Sequence, residues 1–183
     1  MTSSPEPIEL AVIIGSLRAG SVHRVVATAA TALAPDAVTL TEVPIVDVPF
    51  YNQDIEDAGE HPAVAEMRAV VDAARGLLFI TPEYNGSMPA VVKNAVDWLS
   101  RPYGSGAIAG KPTMIIAATP GRHDAAGVRS ALAASAAVAG AAVHEPTHGI
   151  ASVTRMMEDG RLSDPDTLAA LADALGAFVS TLR

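Results

Sequence analysis

Glu9-Leu10-Ala11-Val12-Ile13-Ile14-Gly15-Ser16-Leu17-Arg18-Ala19-Gly20-Ser21 is the stretch whose reading decides the fold. It begins as a short apolar run and stops at a glycine. After Ser21 the period changes, and Val22, Val25, Val26, Ala29, Ala30 and Leu33 recur at helical spacing up to Ala34. A strand, a tight glycine turn and a helix, in that order, open a parallel α/β unit.

Outward from this unit the alternation continues. Val38–Val43 reads as a β-branched strand, followed by a Pro-rich connection through Pro44, Pro49, Tyr51 and Asp54. Pro62 suits the first turn of a helix running to about Ala74. Gly76–Thr81 is apolar and short enough for a buried strand, and Pro89 opens a helix to Ser100. Pro112–Thr119 reads as strand, Asp124–Ala139 as an alanine-rich helix, Ala141–His144 as the last strand and Asp164–Leu182 as the closing helix. The first, third and fourth strands are continuous apolar runs, which expects helices on both faces of a parallel sheet. The expected architecture is a three-layer α/β sandwich around a five-stranded parallel sheet, one domain over residues 1–183.

Composition narrows the function classes. Half of the 183 residues are hydrophobic and 17% are charged, a globular balance long enough to bury about two-thirds to three-quarters of the extended-chain surface. The formal net charge of -8, with lysine only at Lys93 and Lys111, argues against nucleic-acid binding, which needs clustered cations. The absence of cysteine excludes disulfides, thiol nucleophiles and thiolate metal sites. No apolar run reaches the ~20 residues of a membrane span. Residues 1–10 lack a basic segment and an apolar core, so no signal peptide is expected and a cytoplasmic address is the default.

Two motifs carry chemistry. Gly15 to Ser21 echoes a P-loop but lacks its lysine, which points away from nucleoside triphosphates. What remains is a tight turn, amides at a helix N-terminus, the hydroxyls of Ser16 and Ser21 and the guanidinium of Arg18. Those parts suit one terminal phosphate. The plainer reading is a Ser21 helix cap beside a solvated Arg18. The second motif is Thr81-Pro82-Glu83-Tyr84-Asn85-Gly86-Ser87-Met88-Pro89, a loop stiffened by proline at both ends that can offer amides to a planar heterocycle while Tyr84 packs on a face. The plainer reading here is an ordinary turn with Ser87 as cap.

Topology joins the two. In the doubly wound order 2-1-3-4-5, strands 1 and 3 are neighbours, and ligands bind beyond their carboxyl ends. A single mononucleotide can then span both loops, and the turn Thr119-Pro120-Gly121-Arg122 after the fourth strand is placed to close the remaining edge. No Gly-x-Gly-x-x-Gly fingerprint occurs, which weakens a stored dinucleotide.

Gly15 to Ser21 with Arg24, Thr81 to Ser87, and Val92-Lys93-Asn94-Ala95-Val96-Asp97-Trp98 resemble the NADPH-dependent FMN reductase family. Val48-Pro49-Phe50-Tyr51-Asn52-Gln53-Asp54 is similar to that family's loop after the second strand. The resemblance covers roughly residues 9 to 125 and implies a flavodoxin-like fold, non-covalent FMN, NADPH or NADH as reductant, and a homodimer or homotetramer. It implies a small-molecule electron acceptor: a flavin, quinone, azo dye or metal oxyanion. It places Ser16, Arg18 and Ser21 on the FMN phosphate, and Pro82, Glu83, Tyr84 and Asn85 around the isoalloxazine ring, largely through backbone atoms. His23 stands where many members have asparagine, with an imidazole donor in its place, and Thr119 and Gly121 fall in a third loop that lacks the family's frequent paired glycines. No catalytic acid or base is implied, because hydride transfer is the flavin's own chemistry.

Other constellations are weaker. His23, His61, His123, His144 and His148 have no tight ligand spacing, so no metal site is expected. Asp97 lies four residues from both Lys93 and Arg101, a solvated charge ladder. Val92, Ala95, Val96 and Leu99 form a core stripe that Val91 and Trp98 extend. Trp98 then either covers the sheet edge or faces a second subunit, and the resemblance favours the subunit. The competing functional classes are a flavodoxin-type electron carrier and a phosphate-binding regulator without flavin. Aromatic residues are 4% of the chain and only Tyr84 lies in the two main motifs, which favours an open ring over a carrier's enclosed one.

Overall fold

All ten elements expected from sequence form within a residue or two of their predicted ends, and the computed structural model describes residues 7–183. Residues 1–6, part of the stretch read for a signal peptide, lie outside the described residues. The strands are β1 (Ile8–Ile14), β2 (Val38–Glu42), β3 (Gly76–Thr81), β4 (Pro112–Ala118), β5 (Ala142–Val143) and β6 (His148–Ile150). They pair in parallel in the order β2-β1-β3-β4-β5, with β6 also on β4. The helices are α1 (Val22–Leu33), α2 (Gln53–Asp57), α3 (Pro62–Ala73), α4 (Ala90–Leu99), α5 (Ala126–Val138) and α6 (Pro165–Ser180). This is the flavodoxin-like arrangement expected.

The continuous apolar runs have two destinations. Ala11, Ile13, Leu77, Phe79 and Ile115 face one layer with residues of α3, α4 and α5, including Met67, Leu99 and Leu132. Leu10, Val12, Ile14, Leu78, Ile80, Met114 and Ile116 face the other, with Val26 of α1 and Leu171, Leu175 and Phe178 of α6. Alternation is thus present but invisible in the sequence, because both faces are dry.

The expected last strand, Ala141–His144, forms as the shorter β5, and an unexpected β6 continues along the same edge. The β5 ladder on β4 stops at Val143, and pairing resumes at His148. Pro146 lies in the gap and has no N–H to contribute to a ladder. Further elements escaped the sequence reading, among them α2 and a hairpin. Asn52 caps the short α2 by accepting from the Asp54 amide at 2.9 Å. A small antiparallel hairpin, β7 (Met157–Glu158) and β8 (Arg161–Leu162), turns at Asp159-Gly160, both with positive φ, as a type I′ turn demands.

Trp98 corrects an expectation. It is 2% exposed and cannot itself present a subunit interface. Its indole Nε1 donates to the Pro49 carbonyl at 2.8 Å, and its ring meets Tyr51 edge-on at 5.0 Å. Asn94, one helical turn earlier, donates to the same carbonyl at 2.9 Å and accepts from the Tyr51 amide at 2.8 Å. The asparagine and tryptophan of the α4 motif therefore pin the loop after β2 to the body of the protein. The charge ladder is also only half formed: Lys93 pairs with Asp97 at 2.5 Å, whereas Arg101 turns to Glu56 at 3.0 Å.

Asn94→Ala leaves the half-buried Tyr51 amide without its acceptor, at a cost of about 1 kcal/mol. Urea unfolding followed by Trp98 fluorescence is expected to show a lower midpoint with an unchanged slope.

Candidate functional site

The carboxyl ends of β1, β3 and β4 finish together. Ile14 pairs with Ile80, and Ile80 with Ile116, so the loops that follow these strands emerge side by side. Gly15 donates to the Ile80 carbonyl at 2.8 Å. A Cβ at Gly15 would lie 2.6 Å from Thr81 Oγ1 and 2.8 Å from Val92, so only glycine allows the two loops this close.

In the first loop, none of the amides of Ser16, Leu17, Arg18, Ala19 or Gly20 donates to another backbone group among the described residues. Arg18 is exposed and forms no ion pair among them. Ser16 and Ser21 are buried, and Ser21 caps α1 by accepting from the His23 amide at 3.2 Å. The arrangement is an anion cradle: free N–H groups, a helix N-terminus and one cation. Arg24 does not belong to it, because its guanidinium bonds Glu42 at 2.8 Å.

His23 is 5% exposed and sits behind the cradle. Its Nε2 lies 2.9 Å from the Ala118 carbonyl at the end of β4, and its Nδ1 lies 3.0 Å from Ser21 Oγ. A carbonyl only accepts, so Nε2 carries the hydrogen and, in the neutral ring, Nδ1 accepts from the Ser21 hydroxyl. Both nitrogens are engaged, leaving His23 no free donor for a direct phosphate contact. Burial is the main cause holding its pKa below the ordinary imidazole value; the Ala118 bond opposes this and the nearby Arg18 adds to it.

The second loop is a tight turn. Tyr84 and Ser87 exchange backbone bonds of 2.9 and 3.1 Å, and Asn85 and Gly86 both have positive φ, as a type I′ turn requires. The side chain of Tyr84 is 53% exposed. The Glu83 carboxylate points away from this front and accepts from the Val128 amide at 3.0 Å, capping α5, whose own N-cap Ala125 offers no side-chain bond. Ser87, the alternative cap, makes no such bond to α4, whose N-cap is Pro89. Pro82 is buried directly behind the turn.

In the third loop Thr119 is fixed by its amide on the Ile150 carbonyl at 2.9 Å, and its hydroxyl accepts from Gly121 at 3.1 Å. Arg129 holds the loop's far end through Asp124 and reaches Thr147 Oγ1 at 3.0 Å. The ten site residues expected from sequence thus gather at one edge of the sheet. The sequence reading missed a shallow cleft of about 290 Å³ beside the first loop, lined by Leu17, Pro44, Ile45 and Val46. Its legible signal is the apolar Pro44-Ile45-Val46 directly after β2; Leu17 and Val46 are exposed along it. A wider cleft of about 690 Å³ lies away from this edge, between α4 and α5.

Residues 8–154 match the sequence pattern described as NADPH-dependent FMN reductase. A quinone reductase of Pseudomonas putida is 45% identical over 112 residues, which is 61% of this chain and 60% of that protein. An NAD(P)H-dependent FMN reductase of Pseudomonas aeruginosa is 41% identical over 121 residues, 66% of this chain and 65% of that one. The matched stretch thus spans less than two thirds of these relatives. Among solved structures, a flavoenzyme NAD(P)H:(acceptor) oxidoreductase from Paracoccus denitrificans superposes with a TM-score of 0.87 at 30% identity, covering 96% of this chain and 97% of that one.

The buried imidazole has a consequence for stability. An unfolded imidazole protonates near pH 6.5, whereas folding holds His23 below that value, as burial and then Arg129 do for His148. The unfolded chain then binds more protons as the pH falls below about 6.5, so stability is full above that pH and is lost toward acid. Thermal melting of the flavin-free protein is expected to show this fall, and His23→Asn is expected to flatten it.

Proposed function

The chain belongs to the NADPH-dependent FMN reductase family, and from that membership and the geometry above we propose that it is an NAD(P)H-dependent oxidoreductase that holds FMN across the first two loops and reduces a small-molecule acceptor. The observation that carries this reading is the row of free amides from Ser16 to Gly20, set one strand away from the Tyr84–Ser87 turn. An anion site and a flat, amide-edged slot at that separation suit a mononucleotide, and a Cβ-free Gly15 is what makes the separation small.

FMN, when bound, supplies the redox chemistry, taking hydride from a nicotinamide and delivering electrons to the acceptor. The residues of this chain bind and orient it. Ser16, Arg18 and Ser21 hold the phosphate with the α1 amides, and His23 supports Ser21 from behind. Pro82 and Glu83 set the course of the second loop, Asn85 presents its backbone toward the ring, and Tyr84 offers a face. Thr119 and Gly121 close the remaining edge. Backbone donors of the second and third loops stabilise negative charge at that edge without reorganising. No side chain is assigned as an acid or base, and Glu83 is already committed to α5.

The names of the relatives make quinones and flavins the first acceptors to test, with azo dyes and metal oxyanions in the wider set. Either NADPH or NADH is the reductant, and Arg18 and Arg122 are the cations available to a 2′-phosphate. A cytoplasmic location, where these reductants are supplied, is part of the same proposal, as is one domain serving the whole reaction. So is assembly into a homodimer or homotetramer. With Trp98 buried, the apolar ground for assembly is the α4/α5 cleft, where Tyr103 and Val138 are each 89% exposed.

Purified protein reconstituted with FMN is expected to show flavin absorbance that bleaches on NAD(P)H addition and returns with a quinone. Bound flavin that NAD(P)H does not bleach would instead mark an electron carrier. Arg18→Ala removes a charge-assisted contact and is expected to weaken FMN binding roughly 10- to 100-fold, read by flavin fluorescence, with an unchanged melting temperature for the flavin-free protein.

A further inference from the structure

Ser21 has one hydroxyl proton, and a phosphate at the α1 N-terminus would be a second acceptor for it. In the structure that proton is committed. His23 Nε2–H donates to the Ala118 carbonyl at 2.9 Å, which leaves Nδ1 as a lone pair receiving the Ser21 O–H at 3.0 Å. Ser21 Oγ also accepts from the His23 amide at 3.2 Å, so toward the cradle it presents only acceptor character. An incoming phosphate would meet a lone pair.

Two rearrangements resolve the conflict. If Ser21 turns its proton outward and His23 stays neutral, Nδ1 becomes a buried acceptor without a partner. If Nδ1 takes a proton from solvent, it donates to Ser21 Oγ, the hydroxyl donates outward, and every group keeps a partner. The second arrangement also places an imidazolium one hydroxyl away from an anion. The charged surroundings favour it once the anion is there. Arg18 is the cation that opposes charge on His23, and a phosphate would neutralise it. Arg24 on α1 is paired with Glu42. Glu9 of β1, Arg161 of β8, and Asp166 and Asp173 of α6 are exposed, as are Arg122 and His123 after β4, while β3 and β4 contribute no titratable group.

We propose that His23 is a positioning residue of the phosphate site that takes up one proton when phosphate binds, converting Ser21 from an acceptor into a donor. This rests on the reading of the first loop as the FMN phosphate site. The only bond made is N–H at Nδ1, and the proton comes from the buffer. The position that many family members fill with an amide donor is here filled by a group that becomes a second donor only on binding.

The test is calorimetric titration of flavin-free protein with FMN near pH 7, in two buffers of different ionisation enthalpy, with riboflavin and His23→Asn in parallel. A substantial fraction of one proton is expected to be taken up with FMN, and none with riboflavin or in the variant. The sign is diagnostic, because a phosphate monoester with a second pKa near 6 that binds as the dianion releases protons. Affinity for FMN is expected to rise by up to ~10-fold per pH unit as pH falls from about 8 to about 6.5, and not to rise in His23→Asn. Nitrogen NMR of wild-type protein, which needs no variant to fold, is expected to show Nδ1 unprotonated when free and protonated in the FMN complex. FMN bound without proton uptake and with Nδ1 still bare overturns the inference and leaves the reductase reading standing. Failure of FMN to bind removes both.

Discussion

The close approach of Gly15 to Thr81 is the constraint on which the rest of the structure depends. Strands β1 and β3 are held in register by Ile14 opposite Ile80, and any side chain at position 15 would drive into Thr81 and Val92. With hydrogen there, the loop after β1 and the loop after β3 leave the sheet side by side, and α4 packs down against both. A wider separation would leave two unrelated turns. The chemistry at this edge is therefore a property of the sheet before it is a property of any functional side chain.

Three helices begin at this edge, and their N-termini are treated differently. The α5 terminus receives an internal anion, Glu83, on the Val128 amide. Gly127 is bare so that Glu83 and the Gly86 carbonyl can approach, since a Cβ there would lie 2.6 Å from that carbonyl. The α4 terminus follows Pro89, which carries no capping side chain. Only the α1 terminus combines a row of free amides with a nearby cation. The chain's net charge of -8 works against anions at long range, but screening reduces exposed charges to little beyond about 8–10 Å. Within that distance Arg18 and the α1 dipole set the local potential.

Much of this was legible in the sequence, for identifiable reasons. Continuous apolar runs at β1, β3 and β4 have one explanation in a chain this size, burial on both faces. Ser21 before a 3.6-residue period marks a helix start, and Asn85-Gly86 marks a turn requiring two positive φ values. What failed to be legible depended on partners distant in sequence. Whether Arg101 completes a ladder with Asp97 or turns to Glu56, 45 residues away, is decided by where α2 lies, and no helical wheel contains that information. Trp98 looked like a surface aromatic because its partner is a backbone carbonyl at Pro49. The β6 strand follows a proline that reads as a terminator, and its pairing with β4 resumes only because the chain returns to the same edge. His23 was seen as a donor replacing an amide. That it faces inward, toward Ala118, is a fact about the layer beneath it.

These inward contacts share a logic. Each loop at the carboxyl edge is fastened from behind by polar links, buried at His23 and part-buried at the others. His23 ties the first loop to the end of β4, Glu83 ties the second to α5, Asn94 and Trp98 tie the loop after β2 to α4, and Arg129 ties the third loop to the segment before β6. These links engage inward-facing groups, so the amides of Ser16 to Gly20 stay free at the front. Donors fixed in this way need no reorganisation when charge arrives, which is where an electrostatic site gains most over water. The link through His23 differs from the others in one respect. A carboxylate, an amide, an indole and a guanidinium keep their hydrogen-bonding roles at neutral pH, whereas an imidazole can exchange an acceptor for a donor. Of these four links only the one at the first loop runs through a group that can change in this way, and that loop also carries Arg18 and the open N-terminus of α1.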